Sequence, residues 1–466
     1  MSNSRIGKFM MVLLFGAFIL LTACSEGDAD ENASPANTTD NGENQENAGN
    51  NENEDNAEDE EEDFEPVTLL MVTHWDDGQF EHNFKNHVEE KYPHITLEHI
   101  RSRQDELEEN VFAKNLKPDI MMAGPNDYLL EIDLLLDLNP LIEQFNFDVN
   151  RLEPGVMKYL GEMSNEGELN GLPLIRPEYA LVYNPDIFDA FGVPYPEDNM
   201  TWDEVIELGR QVAGERNGQQ YEGFHPGNFD FMMRQLGEDA LLVDPETHEP
   251  IIDQNEAFKI YLERLEAVWS IPGNGMENWE TGEDMKDRRA VNLMRDGRLA
   301  MAADRAFAGT YAAKAVETGL NFDFVTYPSW GGEYGDYGPN EGGNGLAITT
   351  LTEHPEEAFR VVEYLLSDEY QSWQAGQGNL PAVISDEVRS NFMKDNENYE
   401  MLEDKNLEAI TNAEAAPIPI RSKYEDEIME GAGYREGIFN GDDINTIIRE
   451  MQEQAEGNAK SIQGKE

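Results

Sequence analysis

Apolar positions along this chain alternate between two spacings, one suited to strands and one to helices. Val67 to Val72, behind Pro66, is a short continuous apolar run that reads as a buried strand. Phe80, Phe84 and Val88 then share one helical face, and that helix stops before Pro93. A second strand is predicted over Ile95 to Ile100, a second helix over Leu107 to Leu116, and a third strand over Asp119 to Ala123. This βαβαβ order predicts a mainly parallel sheet with helices on both faces. Beyond Gly171 the backbone is punctuated by Pro173 and Pro177, and the run Ala180 to Tyr183 reads as a further buried strand. Pro185 fits the first turn of a short helix through Phe188. Thr201 stands three residues before Glu204, a capping-box spacing, ahead of a stripe of Val205, Leu208 and Val212. Later helices are expected from Asn228 to Leu236, along Ala257, Ile260, Tyr261, Leu265 and Val268, from Pro355 to Ser367, and from Asp443 to Ile462. Strands are expected at Phe322 to Tyr327 and Leu346 to Thr349.

The first 65 residues follow neither rhythm. Arg5 and Lys8 precede an apolar run from Phe9 to Leu21 that is short of the ~20 residues of a spanning helix and has the plan of a secretory signal. It ends in Leu21-Thr22-Ala23-Cys24, which resembles a bacterial lipobox, so residues 1–23 are read as a lipoprotein signal peptide and Cys24 as the lipidation site. Cys24 is the single cysteine, which leaves no partner for a disulfide or a thiolate metal site. Residues 24–65 are almost entirely Asn, Glu, Asp, Gly and Ala, without lysine or arginine, and read as a disordered acidic tether. An acidic calcium-binding tail is the alternative, but the stretch has no ordered calcium loop.

Charge narrows the partners. Of the formal net charge of −63, the tether holds 17 negative charges and the leader two positive ones, which leaves −48 on the folded part. Such a body repels nucleic acid and anionic membranes, and suits an acidic surface in a salty or alkaline exterior. The roughly 400 remaining residues suit two lobes better than one core.

Proline-bounded and carrying Arg176, Glu178 and Tyr179, the segment after Gly171 suits a chain crossing a cleft between lobes. On local chemistry alone it fits an ordinary surface loop equally well. The order Gly171-Leu172-Pro173, Tyr183-Asn184, Ile187-Phe188, Gly192-Val193-Pro194 and Thr201-Trp202-Asp203-Glu204 resembles the family 1 extracellular solute-binding proteins of bacterial ABC importers, of the maltose-binding type. Further likenesses lie at 293–303, 341–345 and 378–382, and the resemblance spans residues 66 to 460. It implies an α/β, two-lobed periplasmic-binding-protein-like fold of type II, each lobe a mainly parallel sheet flanked by helices, with three interlobe crossovers. Residues 66–177 plus 304–342 would form the first lobe, and 178–303 plus 343–466 the second. The resemblance also implies a diacylglycerol thioether on Cys24, a monomeric receptor on the outer face of the cell membrane, permease subunits of an ABC importer as partners, and a carbohydrate ligand, an oligosaccharide. No cofactor, metal or nucleic acid is expected.

Candidate ligand contacts follow from loop position, because ligands of such sheets sit beyond the carboxyl ends of the strands. Trp75 with Asp76 follows the first strand, and Asn126 with Asp127 follows the third, each beside an aromatic ring. Ligand contact is favoured over packing for Trp75, while Asp77-Gly78 fits a helix start as well. The crossing segment adds Arg176, Glu178 and Tyr179. Asn228, Trp279, Asp304, Arg305, Trp330, Asn344 and Arg421 complete the set, with a surface ion pair equally open for Arg421. Arg176, Arg305 and Arg421 leave room for an acidic sugar. His74, His82 and His87 do not share one helical face, which argues against a metal site. A surface glycoside hydrolase or lyase is the alternative function, needing two carboxylates ~5–10 Å apart. With 96 acidic residues, candidate pairs decide nothing. No G-x-x-x-x-G-K-[ST] stretch is present, so nucleotide hydrolysis would fall to other subunits.

Overall fold

The computed structural model describes residues 64–124, 126–272, 294, 296–340, 344–412 and 414–463. Cys24, the leader and residues 24–63 of the tether lie outside them, as does Trp279, whereas Phe64 near the tether's end stacks on His94. The described residues form a two-lobed α/β fold around two sheets.

The first sheet contains β1 (Val67–Thr73), β2 (Ile95–Arg101), β3 (Ile120–Met121), β4 (Leu172–Arg176), β10 (Asn344–Ile348) and β11 (Leu380–Pro381), in the order β11-β4-β10-β3-β1-β2. The second contains β5 (Tyr179–Tyr183), β6 (Gly214–Arg216), β7 (Gln219–His225), β8 (Leu299–Arg305) and β9 (Asp323–Val325), in the order β6-β7-β8-β5-β9. Both sheets are covered on both faces, which explains why their strands read as unbroken apolar runs. Leu69 and Met71 of β1 enter one core with Phe80, Phe84 and Phe359, while Val72 enters another with Ile100, Leu107 and Val111. Likewise Leu181 and Tyr183 face one core, and Ala180 and Val182 the opposite one with Tyr311 and Phe324. The period-2 alternation of a strand does this sorting.

Two expectations are corrected. The sheets are mixed rather than mainly parallel. β1 runs parallel to β2 and β3, and β7 to β8, but β10 is antiparallel to β3 and β4, and β5 is antiparallel to β8 and β9. Only Pro177-Glu178 separates β4 from β5, so the chain passes directly from the first sheet into the second. β4 runs toward the junction and β10 enters from it, so the two oppose each other; β5 and β8 mirror this arrangement.

The lobe boundaries differ as well. β8 does not return to the first sheet but lies between β5 and β7 at the centre of the second. Its Ala300, Ala302 and Ala303 are fully buried, since small residues suit a strand packed on both faces. The second crossing falls between β9 and β10, beyond residue 325. β10, the helices Pro355–Leu365 and Asp368–Gln377, and β11 all pack with the first sheet, whereas the last helix, Ile444–Gln463, packs with the second. The third crossing follows Pro381. The predicted helix over 107–116 is broken: Leu107–Asn110 gives way at the fully buried Val111 (φ −117°) to a single 3₁₀ turn.

The other helix signals hold. Thr201 and Glu204 make the reciprocal cap of helix Trp202–Val212, and Asn228 caps Phe229–Arg234. Asp203, in the first turn of Trp202–Val212, takes both forks of Arg264 at 3.0 Å and sets that guanidinium 4.3 Å over the ring of Trp330.

Candidate functional site

The strand pairing itself assembles a site at the first crossing. Arg176 ends β4 beside Leu380 of β11, and Arg305 ends β8 opposite Tyr179, the first residue of β5. Glu178, between the two sheets, accepts a hydrogen bond on its carbonyl from the Ala306 amide at 3.0 Å. Side chains from both lobes therefore line one cavity of about 500 Å³: Arg176 and Asn379 from the first, Glu178, Arg234, Arg305 and Phe307 from the second. That volume is in the range of small-molecule sites.

Burial dominates the electrostatics there. Arg176 donates to the carbonyls of Pro381 (3.2 Å) and Thr411 (3.4 Å). Burial, and secondarily the charge of Arg389, pushes its guanidinium down to about 10, while Glu153 pulls the other way. Burial lifts the Glu178 carboxyl to about 7, opposed by the Phe307 amide and the charge of Arg305. Its Oε2 is sealed from solvent and has no hydrogen-bond partner among the described residues. Phe307 sits at φ +42°, a left-handed conformation that a bulky residue holds only at a cost, and such strain tends to gather at functional sites. A close approach supports the same wall. Gly227, at φ +65°, lies where any Cβ would overlap the Ala303 carbonyl oxygen, so the turn before Asn228 rests directly on the end of β8.

The strand ends of the first sheet form a second cavity of about 380 Å³, lined by His74, Ser102, Arg103, Gln104 and Asn126. Asn126 accepts from the Leu129 amide and from Gln104, and donates to the Gly124 carbonyl. Burial, then the charge of Arg103, lowers the pKa of His74. Trp75 is half-buried and stacks on Phe84 with centroids 5.2 Å apart, so part of its ring is committed to packing. Asp76 is an exposed helix cap bonded to the Gln79 amide at 2.9 Å. Asp127 opens the helix Asp127–Glu131, and its side chain is outside the described atoms.

Several expected contacts also make packing or polar contacts within the protein. Trp330 is buried in the second-lobe core, where its indole N–H donates to the Met232 carbonyl at 2.8 Å. Tyr179 is buried against Phe231 and Tyr327, and borders a void of only about 20 Å³, room for a water. Asn228 spends its side-chain oxygen on the Asp230 amide. Asp304 accepts from the Arg305 amide at 2.8 Å. Arg421 is ion-paired with Glu425 (2.8 Å) and Asp426 (3.4 Å) at the edge of a third cavity of about 570 Å³, which Arg234 also lines. Asn344 begins β10 near Ile175, its side chain undescribed. His82 and His87 lie against Trp373, with centroids 5.3 and 4.0 Å apart, and no group of three metal-binding side chains occurs among the described residues. Arg234 and Asn379 were not foreseen.

Two sheets joined by three crossings, with a cavity lined from both sides at the first of them, define a two-lobed binding protein. The family model for bacterial extracellular solute-binding proteins matches residues 78–372, and the chain belongs to that family. A curated binding protein of Brucella abortus is 23% identical over 239 residues; the match covers 50% of this chain and 54% of the relative, so the chain spans about half the length of the curated relatives it matches. The fold resembles that of a Rhizobium etli sugar transporter in an open conformation, at TM-score 0.64 and 20% identity over 84% of this chain and 99% of the other. It also resembles the sugar-binding protein MalE of Xanthomonas citri, at TM-score 0.65 and 16% identity over 85% and 98%. A third likeness is the Listeria monocytogenes ABC substrate-binding protein in complex with cycloalternan, at TM-score 0.59 and 16% identity over 84% and 98%.

Proposed function

We propose that this protein is a lipid-anchored extracellular receptor that binds an oligosaccharide between its lobes and presents it to the permease subunits of an ABC importer. The observation that carries the reading is the cavity at the first crossing, where Arg176 and Asn379 of one lobe meet Glu178, Arg234 and Arg305 of the other. A ligand touching both sets gains contacts only when the lobes close, so binding and closure are linked. Family membership and the likeness of the fold to sugar-binding and sugar-transport proteins support a carbohydrate. Arg176, Glu178 and Arg305 are the leading ligand contacts, and Trp75 and Asn126 at the strand ends of the first lobe extend the site.

The anchor is part of the proposal. Residues 1–23 act as a lipoprotein signal, Cys24 carries the lipid, and residues 24–65 hold the body off the membrane. No described helix is long and apolar enough to cross a membrane. The protein works as a monomer, without catalysis. A thermal-shift screen against neutral and uronic mono- and oligosaccharides tests the receptor reading, since a ligand bound only by the native state raises Tm. Intact saccharide recovered from the complex is the expected result. Cleaved product would make the protein a hydrolase or lyase instead.

A further inference from the structure

The third cavity, of about 570 Å³, differs in kind from the one at the crossing. Tyr159, on the first-lobe helix Pro154–Met163, lines one side, and residues of the second lobe make up the rest. Most of that wall is apolar: Met233, Leu241, Leu242, Ile418, Met429 and the ring of Tyr434. Met233, Leu241, Ile418 and Met429 are only half-buried, so apolar surface stays open to the cavity. The Tyr434 hydroxyl is bonded to that of Tyr261 at 2.7 Å, which leaves its ring for the wall. Charged side chains at the cavity are engaged with neighbours: Arg421 is held by Glu425 and Asp426, and Asp230 pairs with Arg435 at 3.1 Å. The crossing cavity, by contrast, offers Arg176, Glu178, Arg305 and Asn379. Arg234, an exposed side chain, lines both, so the polar cavity and the apolar one adjoin.

We propose that this cavity takes an alkyl chain, and that the solute of the receptor is an amphiphilic glycoside, with its saccharide at the crossing and its chain reaching past Arg234 among the methionines and leucines. This rests on the receptor reading above. The wall selects against a further sugar ring, because hydroxyls set against thioether and aliphatic groups lose water without gaining a hydrogen-bond partner. Water itself finds few partners on such a wall, so a chain that expels it gains on both counts. Each methylene buried there should tighten binding ~4-fold, the transfer free energy of one CH₂ expressed as an affinity ratio. Met233 and Met429 add adaptability, since unbranched thioether side chains mould to chains of different length. With Tyr159 on one lobe and Met429 on the other, lobe closure encloses the chain and links its burial to binding of the sugar.

Calorimetric titration of the full chain tests this with the methyl, butyl and octyl glycosides of glucose, galactose, mannose and maltose, all below their micelle-forming concentrations, and with 1-octanol. Within one sugar the head is constant and only the chain changes. At least one octyl glycoside is expected to bind tenfold or more tighter than its methyl counterpart, with the butyl glycoside between them. Met429→Asn should cut that ratio below threefold while the unliganded Tm stays within a few degrees of wild type; Leu241→Asn is the second variant if the first does not fold. Methyl and octyl glycosides of equal affinity, or a gain from maltose over glucose with none from the chain, would overturn the apolar assignment and leave the receptor standing. 1-Octanol binding as tightly as the octyl glycosides would overturn the amphiphile, because the chain would then owe nothing to the sugar. Failure of every probe would sink the receptor reading as well.

Discussion

Glu178 has the most unusual environment of any residue at the crossing, and its ionisation gives that environment a measurable consequence. Arg305 on β8, Arg176 on β4 and Arg234 on the helix Phe229–Arg234 share its cavity wall, and the Phe307 amide donates to its carboxyl. Burial outweighs the cations and raises the carboxyl from 4.5 to about 7. The folded chain thus holds this proton more tightly than the unfolded chain does. The associated stability is fully present below about pH 4.5, is lost as pH rises toward 7, and then levels off. The whole effect is on the order of 3 kcal/mol, at ~1.4 kcal/mol per pKa unit. Glu178→Gln keeps the shape and removes the titration. Compared with wild type, its Tm should therefore fall less between pH 5 and 7, and urea midpoints across that interval provide the check. Parallel profiles for the two proteins would show that the carboxyl titrates normally. Trp330 is a contrasting case. It was an equally good ring on sequence grounds, but its N–H is already bonded and its face is covered by Arg264, so little of it is left for a ligand.

At the scale of elements, the site depends on how closely the turn before Asn228 rests against the end of β8. Gly227 permits this on two counts: its φ of +65° suits glycine, and a methyl group there would meet the Ala303 carbonyl oxygen and the Asp304 side chain. Gly227→Ala should cost at least about 2 kcal/mol, combining left-handed strain with overlap, and should displace Arg305 from the cavity wall. Urea denaturation measures the first effect. Saccharide titration of the folded fraction measures the second, and wild-type values in both would refute the contact. This dependence also shows what could be read from residue order. Elements with strong local signals were legible: the Thr201–Glu204 cap, the Phe80–Phe84–Val88 face, and the strands Val67–Thr73 and Tyr179–Tyr183. Strand direction and lobe membership were not, because Ala300–Ala303 looks alike whether it crosses between sheets or runs through the middle of one. The position of Arg176, Glu178 and Arg305 at the crossing was legible because they flank breaks in strands. Arg234 was not, since only tertiary packing brings the far end of its helix to the crossing.

The charge of the whole molecule is a property that no single contact decides. About −48 rests on the folded body, and many of its ion pairs are exposed, among them Lys117 with Glu353 and Lys91 with Glu369. Exposed pairs of this kind contribute little, with a median of about 0–1 kcal/mol, so they do not offset the mutual repulsion of so many carboxylates. The repulsion is long-ranged and falls with screening, whose length shrinks from ~10 Å at 0.1 M salt to ~3 Å at 1 M. Salt weakens the favourable pairs too, but unpaired like charges far outnumber them here, so the net effect of salt is stabilising. Tm should rise by roughly 2 °C between 0.05 and 1 M KCl, the equivalent of ~1–2 kcal/mol for a body of this size. Scanning calorimetry in a KCl series checks this. A flat or falling Tm would mean that the acidic surface is already neutralised by bound counter-ions, and that the body carries far less free charge than its composition states.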